Sequence, residues 1–325
     1  MSYKKTVLLP QPIEQEAEQY LLDNGCELIK CSECTVEEVS RQLPEAEAVV
    51  LRTGIKFTDE LISKGTNLKT ISRTGAGVDN VDLKSATENG VIVSSSLGAN
   101  TDSVAEHALA MIMSLTKNLK MLDNEVRNKG FRVRYTNPSN DMGGKVLGLL
   151  GFGRIGSRLA DICYNSFNCR IIAHDEYLPD EVKKKYESWV EFVDLESVLK
   201  QSDFVSIHVP LTEATRDMIS YGSFKMMKNT SIIVNTSRGG IINEPDLVKA
   251  LTEDEIGGAG LDVFNSEPVE DDNPLLKVDN VILTPHTAAL TKECVVRMAM
   301  GGVKRVVAFF NGEAPEKVAN PDVLK

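Results

Sequence analysis

Between residues 6 and 96 the chain alternates short apolar runs with polar stretches of helical spacing. The runs "TVLLP" (6–10), "CELIKC" (26–31), "EAVVLR" (47–52), "LKTISRT" (68–74) and "VIVSSS" (91–96) predict strands. The stretches 13–23, 35–42 and 58–64 predict helices between them. Strands separated by helices form a parallel sheet. In "NTDSVAEHALAMIMSLTKNLKMLDNEV" apolar residues recur at Val104, Ala105, Ala108, Met111, Ile112 and Leu115. That spacing predicts one long helix packed on one face, with Thr101 or Asp102 as its cap. A polar connector, "RNKGFRVRYTNPSNDMGGK", leads to a second series of strands. These are "KVLGLLG" (145–151), "RIIAHD" (170–175), "FVSIHVP" (204–210), "SIIVNTS" (231–237), "GGAGLDV" (257–263) and "VILTPH" (281–286). They are continuously apolar, as strands covered on both faces are. From Glu293 to Phe310 the pattern is helical again. The fold class expected is α/β, with two doubly wound parallel sheets.

A length of 325 residues suits two domains. The net charge of −11 makes the chain repel phosphate backbones, which excludes nucleic acid as an expected partner. A small anionic substrate needs only a local positive pocket. No 18-residue apolar run is present and the N-terminus lacks the apolar core of a signal peptide, so a cytoplasmic protein away from membranes is expected. Of six cysteines only Cys31 and Cys34, in "CSEC", have a motif spacing. Zinc and a redox dithiol both stand against ordinary reduced thiols there, and all six are read as structural, with no metal expected.

The stretch "LLGFGRIG" changes the picture. A lone G-x-G-x-x-G is common in turns. Here a strand precedes Gly151, a helix begins within the motif, and the next strand ends in Asp175, 22 residues beyond Gly153. That is the context of a dinucleotide site. Gly151 permits the tight turn, Gly153 lets the backbone approach a pyrophosphate, and Gly156 lets the helix pack on the sheet. The helix N-terminus offers free N–H groups to the phosphates. Asp175 would accept from the adenosine ribose hydroxyls, and with Glu176 it would repel a 2′-phosphate, so NAD is expected over NADP. A purely structural βα turn is the alternative.

Ligands of open α/β sheets bind beyond the carboxyl ends of the strands. His208, Thr236, Ser237, Arg238, Asp262, Glu267 and His286 collect after successive strands. Hydride transfer to a 2-keto acid needs a cation for the carboxylate and a proton for the alkoxide. Arg238 offers a planar, bidentate fork. An imidazole paired with a carboxylate, His286 with Glu267, offers the proton device. Blander readings stay open here. Glu267 before Pro268 could be a loop carboxylate, and a structural histidine would look like His286. Among the other histidines, His107 reads as a helix residue at a packing surface, His174 as a neighbour of the adenosine site, and His208 as a strand-end residue.

Seven stretches carry a resemblance that spans nearly the whole chain. They are "RTGAGVDNVD" (73–82), "SVAEHALAMI" (103–112), "GKVLGLLGFGRIG" (144–156), "HVPLT" (208–212), "NTSRGGIINEPDL" (235–247), "GLDVFNSEP" (260–268) and "TPHTAA" (284–289). The chain resembles the D-isomer-specific 2-hydroxyacid dehydrogenases. The resemblance implies that Arg238 orients substrate, that His286 is the acid/base and that Glu267 pairs with it. It implies NAD contacts from Arg154, Ile155, Asp175, Val209, Thr236, Ser237 and Asp262, the last at the nicotinamide end, and His208 and Pro210 flank Val209 in the same set. It also implies a Rossmann NAD-binding domain, 101–287, inserted into a flavodoxin-like substrate domain, 1–100 and 288–325. The cleft would lie between them, with the helix near 101–120 as one hinge, and the chain would pair as a homodimer. The wording near 49–58 and 73–82 is similar to D-3-phosphoglycerate dehydrogenases. There the backbone at Ala76 and Gly77 would bind the substrate carboxylate, and Arg52 and Arg73 would meet a second anion, phosphate or sulfonate. Structural salt bridges are the alternative for the two arginines. A C-terminal regulatory domain of the kind some members carry is not expected. The competing class is an NAD-sensing scaffold that binds partner proteins.

Overall fold

The computed structural model describes residues 5–325; residues 1–4, the start of the stretch read for a leader, lie outside it. The chain divides into two compact units, one made of the residues up to Asn100 with Leu290–Lys325, the other Thr101–Ala289.

The first unit holds a parallel sheet of β1 (Lys5–Leu9), β2 (Cys26–Lys30), β3 (Ala48–Leu51), β4 (Thr70–Arg73) and β5 (Ile92–Ser95), in the order β2-β1-β3-β4-β5. That is the flavodoxin-like order. Successive apolar side chains go to opposite faces. Val49 and Leu51 join one buried cluster, while Ala48 and Val50 join another against the helix Lys292–Phe310. Each fully buried large aliphatic side chain contributes about 1.5–3 kcal/mol over an exposed one.

The second unit holds a parallel sheet of seven strands. They are β6 (Val146–Leu150), β7 (Arg170–His174), β8 (Val190–Phe192), β9 (Phe204–Ile207), β10 (Ile232–Asn235), β11 (Gly258–Leu261) and β12 (Val281–Leu283). The order is β12-β11-β10-β9-β6-β7-β8, the Rossmann arrangement with one strand added at the edge. Register aligns the carboxyl ends. Leu150 stands opposite His174 and Ile207, and Leu261 opposite Asn235 and Leu283. Gly151, Asp175 and His208 therefore emerge side by side, as do Thr236, Asp262 and Thr284.

Three expectations need correction. The long helix is two helices, Thr101–Thr116 and Leu119–Arg127, broken at Asn118, whose φ of 51° is left-handed. The apolar spacing ran through the break because the second helix is also amphipathic, yet it buries no residue. Thr101 and Asp102 stand inside the first turn, not before it, and the Asp102 carboxylate accepts from Arg158 at 2.7 Å. Finally β8 escaped notice, being three residues long at the sheet edge.

Candidate active site

The glycine turn forms as its sequence requires. Gly151 has φ +96°, and a Cβ there would come within 2.8 Å of the His208 backbone. A Cβ on Gly156 would strike the Gly151 carbonyl at 2.3 Å, so the helix Arg154–Phe167 can start this close to the sheet only without one. Gly153 and Arg154 are exposed at that helix's N-terminus, and a Cβ on Gly153 would meet nothing within 4 Å. The turn thus presents open backbone and a helix N-terminus where phosphate was expected. Ile155 is half-buried behind it.

Asp175 follows β7 and is pinned from both sides. Its Oδ2 accepts from the Phe152 N–H at 2.8 Å and its Oδ1 from the Tyr177 N–H at 3.0 Å. Each oxygen keeps a further lone pair for a hydroxyl. His174 Nδ1 donates to the Val193 carbonyl at 3.1 Å. His208 lies under the turn with Nε2 2.9 Å from Ser206 Oγ, and burial pushes its pKa down to about 4. It is neutral near pH 7 and suited to packing, not proton transfer. Val209 adjoins the turn and Pro210 is exposed beyond it. Thr236 is buried, and its Oγ1 has no hydrogen-bond partner among the described residues. An orphaned hydroxyl at this sheet edge fits a dinucleotide.

Arg238 stands on a turn stapled by Asn235, which is wholly buried. Asn235 Oδ1 accepts from the Ser237 N–H at 3.0 Å and hydroxyl at 2.9 Å, and its Nδ2 donates to the Arg238 carbonyl at 2.8 Å. Gly239 brings this turn against the next loop. A Cβ there would lie 2.0 Å from the Phe264 carbonyl carbon. That next loop carries Glu267, whose Oε1 accepts from the Phe264 N–H at 3.1 Å. Glu244 accepts from the Asn265 N–H and from Asn273 Nδ2, bracing the loop on its far side.

Glu267 Oε2 lies 2.8 Å from His286 Nδ1. The carboxylate fixes the proton on Nδ1 and leaves Nε2 to give or take one. The pair is exposed, with side chains 47% and 39% accessible. His286 has φ +52°, a conformation costing a non-glycine residue about 1–2 kcal/mol. Asp262 holds it there. The Asp262 carbonyl accepts from the His286 N–H at 2.8 Å, its Oδ1 from the Thr287 N–H at 2.8 Å, and its Oδ2 from the Ala288 N–H at 2.9 Å. Asp262, expected at the nicotinamide end, is fully buried, and its carboxylate braces the loop that carries His286.

In the first unit Arg52 donates to Glu14 at 3.0 Å and to the Pro12 carbonyl at 3.2 Å. Arg73 is buried, with Nε on Asn80 Oδ1 at 2.7 Å. Arg52 thus makes a structural salt bridge, while the bond from Arg73 goes to a neutral amide. Ala76 and Gly77 lie half-buried in the bend after β4. Burial pushes the Cys31 and Cys34 thiols up, away from thiolate chemistry, and all six cysteines are free. Asn235, Asn80 and Glu244 were missed from sequence. Each acts through contacts between segments far apart in the chain or through a turn that has no motif.

Residues 109–288 match the family described as "D-isomer specific 2-hydroxyacid dehydrogenase, NAD binding domain". A hydroxypyruvate reductase of Thermotoga maritima is 36% identical over 91% of this chain and 95% of its own length. A D-3-phosphoglycerate dehydrogenase of Archaeoglobus fulgidus is 37% identical over 94% of this chain, which spans only 57% of that relative. The crystal structure of D-lactate dehydrogenase from Aquifex aeolicus, with NAD and lactic acid, superposes with a TM-score of 0.85 at 29% identity, covering 97% of this chain and 99% of that one. No helix among the described residues is long and apolar enough to cross a membrane. By the family match and the full-length relative together, the chain belongs to the D-isomer specific 2-hydroxyacid dehydrogenases, with an NAD-binding domain in its second unit.

Proposed function

We propose that the protein interconverts a short D-2-hydroxy acid and its 2-keto acid with NAD. The observation that carries this is the His286–Glu267 pair on the loop beside the Arg238 turn. When bound, NADH supplies the hydride. Gly151, Gly153, Arg154, Ile155 and Gly156 hold its pyrophosphate, Asp175 its adenosine ribose, and His208, Val209, Pro210, Thr236 and Ser237 line the remainder. Arg238 takes the substrate carboxylate with its fork. His286 Nε2 protonates the ketone oxygen as it gains negative charge and accepts that proton in the reverse direction. Glu267 holds the ring in the tautomer and orientation this needs, and stabilises the imidazolium.

Arg52 was expected to meet a second anion of the substrate. Its guanidinium is already neutralised by Glu14, which favours an acid without a second anion. In NADH-oxidation assays glyoxylate or hydroxypyruvate should exceed phosphohydroxypyruvate in kcat/KM by about tenfold or more, the ~1.4 kcal/mol scale of one partly screened charge contact. Glu14→Gln should narrow that gap by releasing Arg52. A preference for phosphohydroxypyruvate in the parent protein would overturn the assignment of the tail. NADH binding with no turnover on any 2-keto acid would favour the scaffold reading.

A second copy of the chain is the proposed partner, and a reducing cytoplasm, suited to six free thiols, the proposed compartment. Leu119, Val126, Phe131 and Tyr135 are all more than half exposed on the arm formed by the helix Leu119–Arg127 and the turn Phe131–Tyr135. An apolar set of this kind marks an interface. Sedimentation should give twice the 35.6 kDa chain mass, and Phe131→Asp with Tyr135→Asp should give one chain mass. A monomeric parent protein would dispose of the pairing.

A further inference from the structure

We propose that His107 is a positioning residue for the acid/base loop, acting through Thr284 and Asp262. The inference rests on the reading of His286 given above. His107 stands on the helix Thr101–Thr116, far in sequence from that loop. Its Nε2 lies 3.0 Å from Thr284 Oγ1 and 3.6 Å from Asp262 Oδ1. Thr284 Oγ1 lies 2.6 Å from the same Asp262 oxygen.

The proton count along this chain is determined. Thr284 has one hydroxyl hydrogen, and a 2.6 Å contact with a buried carboxylate claims it. The hydroxyl must therefore accept from the imidazole, so His107 Nε2 carries a proton. The result is a directed series, His107 N–H to Thr284 and Thr284 O–H to the Asp262 carboxylate, which also accepts from the Thr287 and Ala288 N–H groups, while the Asp262 carbonyl accepts from the His286 N–H. Hydrogen bonds in such a series polarise one another.

His107 thus decides where the Thr284 hydroxyl points. Without a donor at Nε2, the Thr284 oxygen loses its partner and the hydroxyl is free to turn from Asp262. The clamp that over-determines the left-handed conformation of His286 then loosens. Misplacement of a reacting group by about 1 Å can cost 10²-fold in rate. A loosened loop should cost less, about tenfold, and it should fall on kcat, because neither the Arg238 turn nor the glycine turn depends on His107.

The test uses the whole protein in the NADH-oxidation assay with its best 2-keto acid. His107→Phe should lower kcat about tenfold, with KM and the NADH Kd within about twofold of the parent. His107→Gln puts an N–H donor near the position of Nε2 and should restore kcat to within about threefold, a rescue that a space-filling role would not give. Thr284→Val should match His107→Phe, and the double variant should lose no more than Thr284→Val alone. A parental kcat in His107→Phe, or a His107→Gln no better than His107→Phe, overturns the proposal. If His107→Phe does not fold, Thr284→Val decides alone, and a parental kcat there is equally fatal. His286→Ala in the same assay separates the two levels. If it retains turnover, the reading of His286 fails; if it loses turnover while His107→Phe does not, only the present inference fails.

Discussion

His286→Ala is expected to lower kcat by about 10²–10⁴-fold, the range of general acid/base catalysis, while NADH still binds. The side chain is about half exposed to solvent, so its removal leaves no closed cavity and thermal stability should hold. Glu267→Gln keeps an acceptor near Nδ1 but removes the charge. A hydrogen bond to a charged group contributes about 1.5–3 kcal/mol, so a loss of about 10- to 10²-fold should follow. Arg238→Lys should act on a different parameter. A point charge cannot reproduce the fork, and KM for the keto acid should rise more than kcat falls. Stopped-flow and steady-state NADH oxidation read all three, with fluorescence titration for NADH. Turnover near the parental value in His286→Ala at neutral pH would remove the acid/base from this residue.

Much of this was legible because parallel strands announce themselves. Runs such as "KVLGLLG" and "SIIVNTS" are apolar on both faces, and the residues just past them fall at one sheet edge by register alone. The placement of Gly151 and Asp175 at that edge was readable for that reason. What was not readable depends on contacts between distant segments. That the buried Asp262 carboxylate braces the His286 loop is one such contact, since its donors Thr287 and Ala288 stand 25 and 26 positions away in the chain. His107 looked like a packing residue, since nothing in a helix pattern shows that Thr284 stands 3.0 Å away. The break at Asn118 was hidden for a local reason. Left-handed backbone at one asparagine does not disturb apolar periodicity.

Discrimination between NADH and NADPH should exceed about 10²-fold in kcat/KM, and Asp175 should be responsible. A 2′-phosphate carries about −1.5 to −2 charges, and like charges about 4 Å apart repel by about 4 kcal/mol at an effective dielectric of 20. Even after partial screening that leaves a factor of 10² or more. Glu176, exposed beside it, adds to the repulsion. Asp175 also anchors the glycine turn through the Phe152 N–H, so truncation would confuse two effects. Asp175→Asn separates them, since its oxygen can still accept from that N–H while the charge is gone. The expected result is a loss of about tenfold with NADH, a smaller change with NADPH, and a gap narrowed to about tenfold. An equal loss with both cofactors would mean that the residue supports the turn and does not read the ribose. Equal use of the two cofactors by the parent protein would refute the electrostatic argument itself, because a pinned carboxylate at the end of β7 could not then be facing a third phosphate.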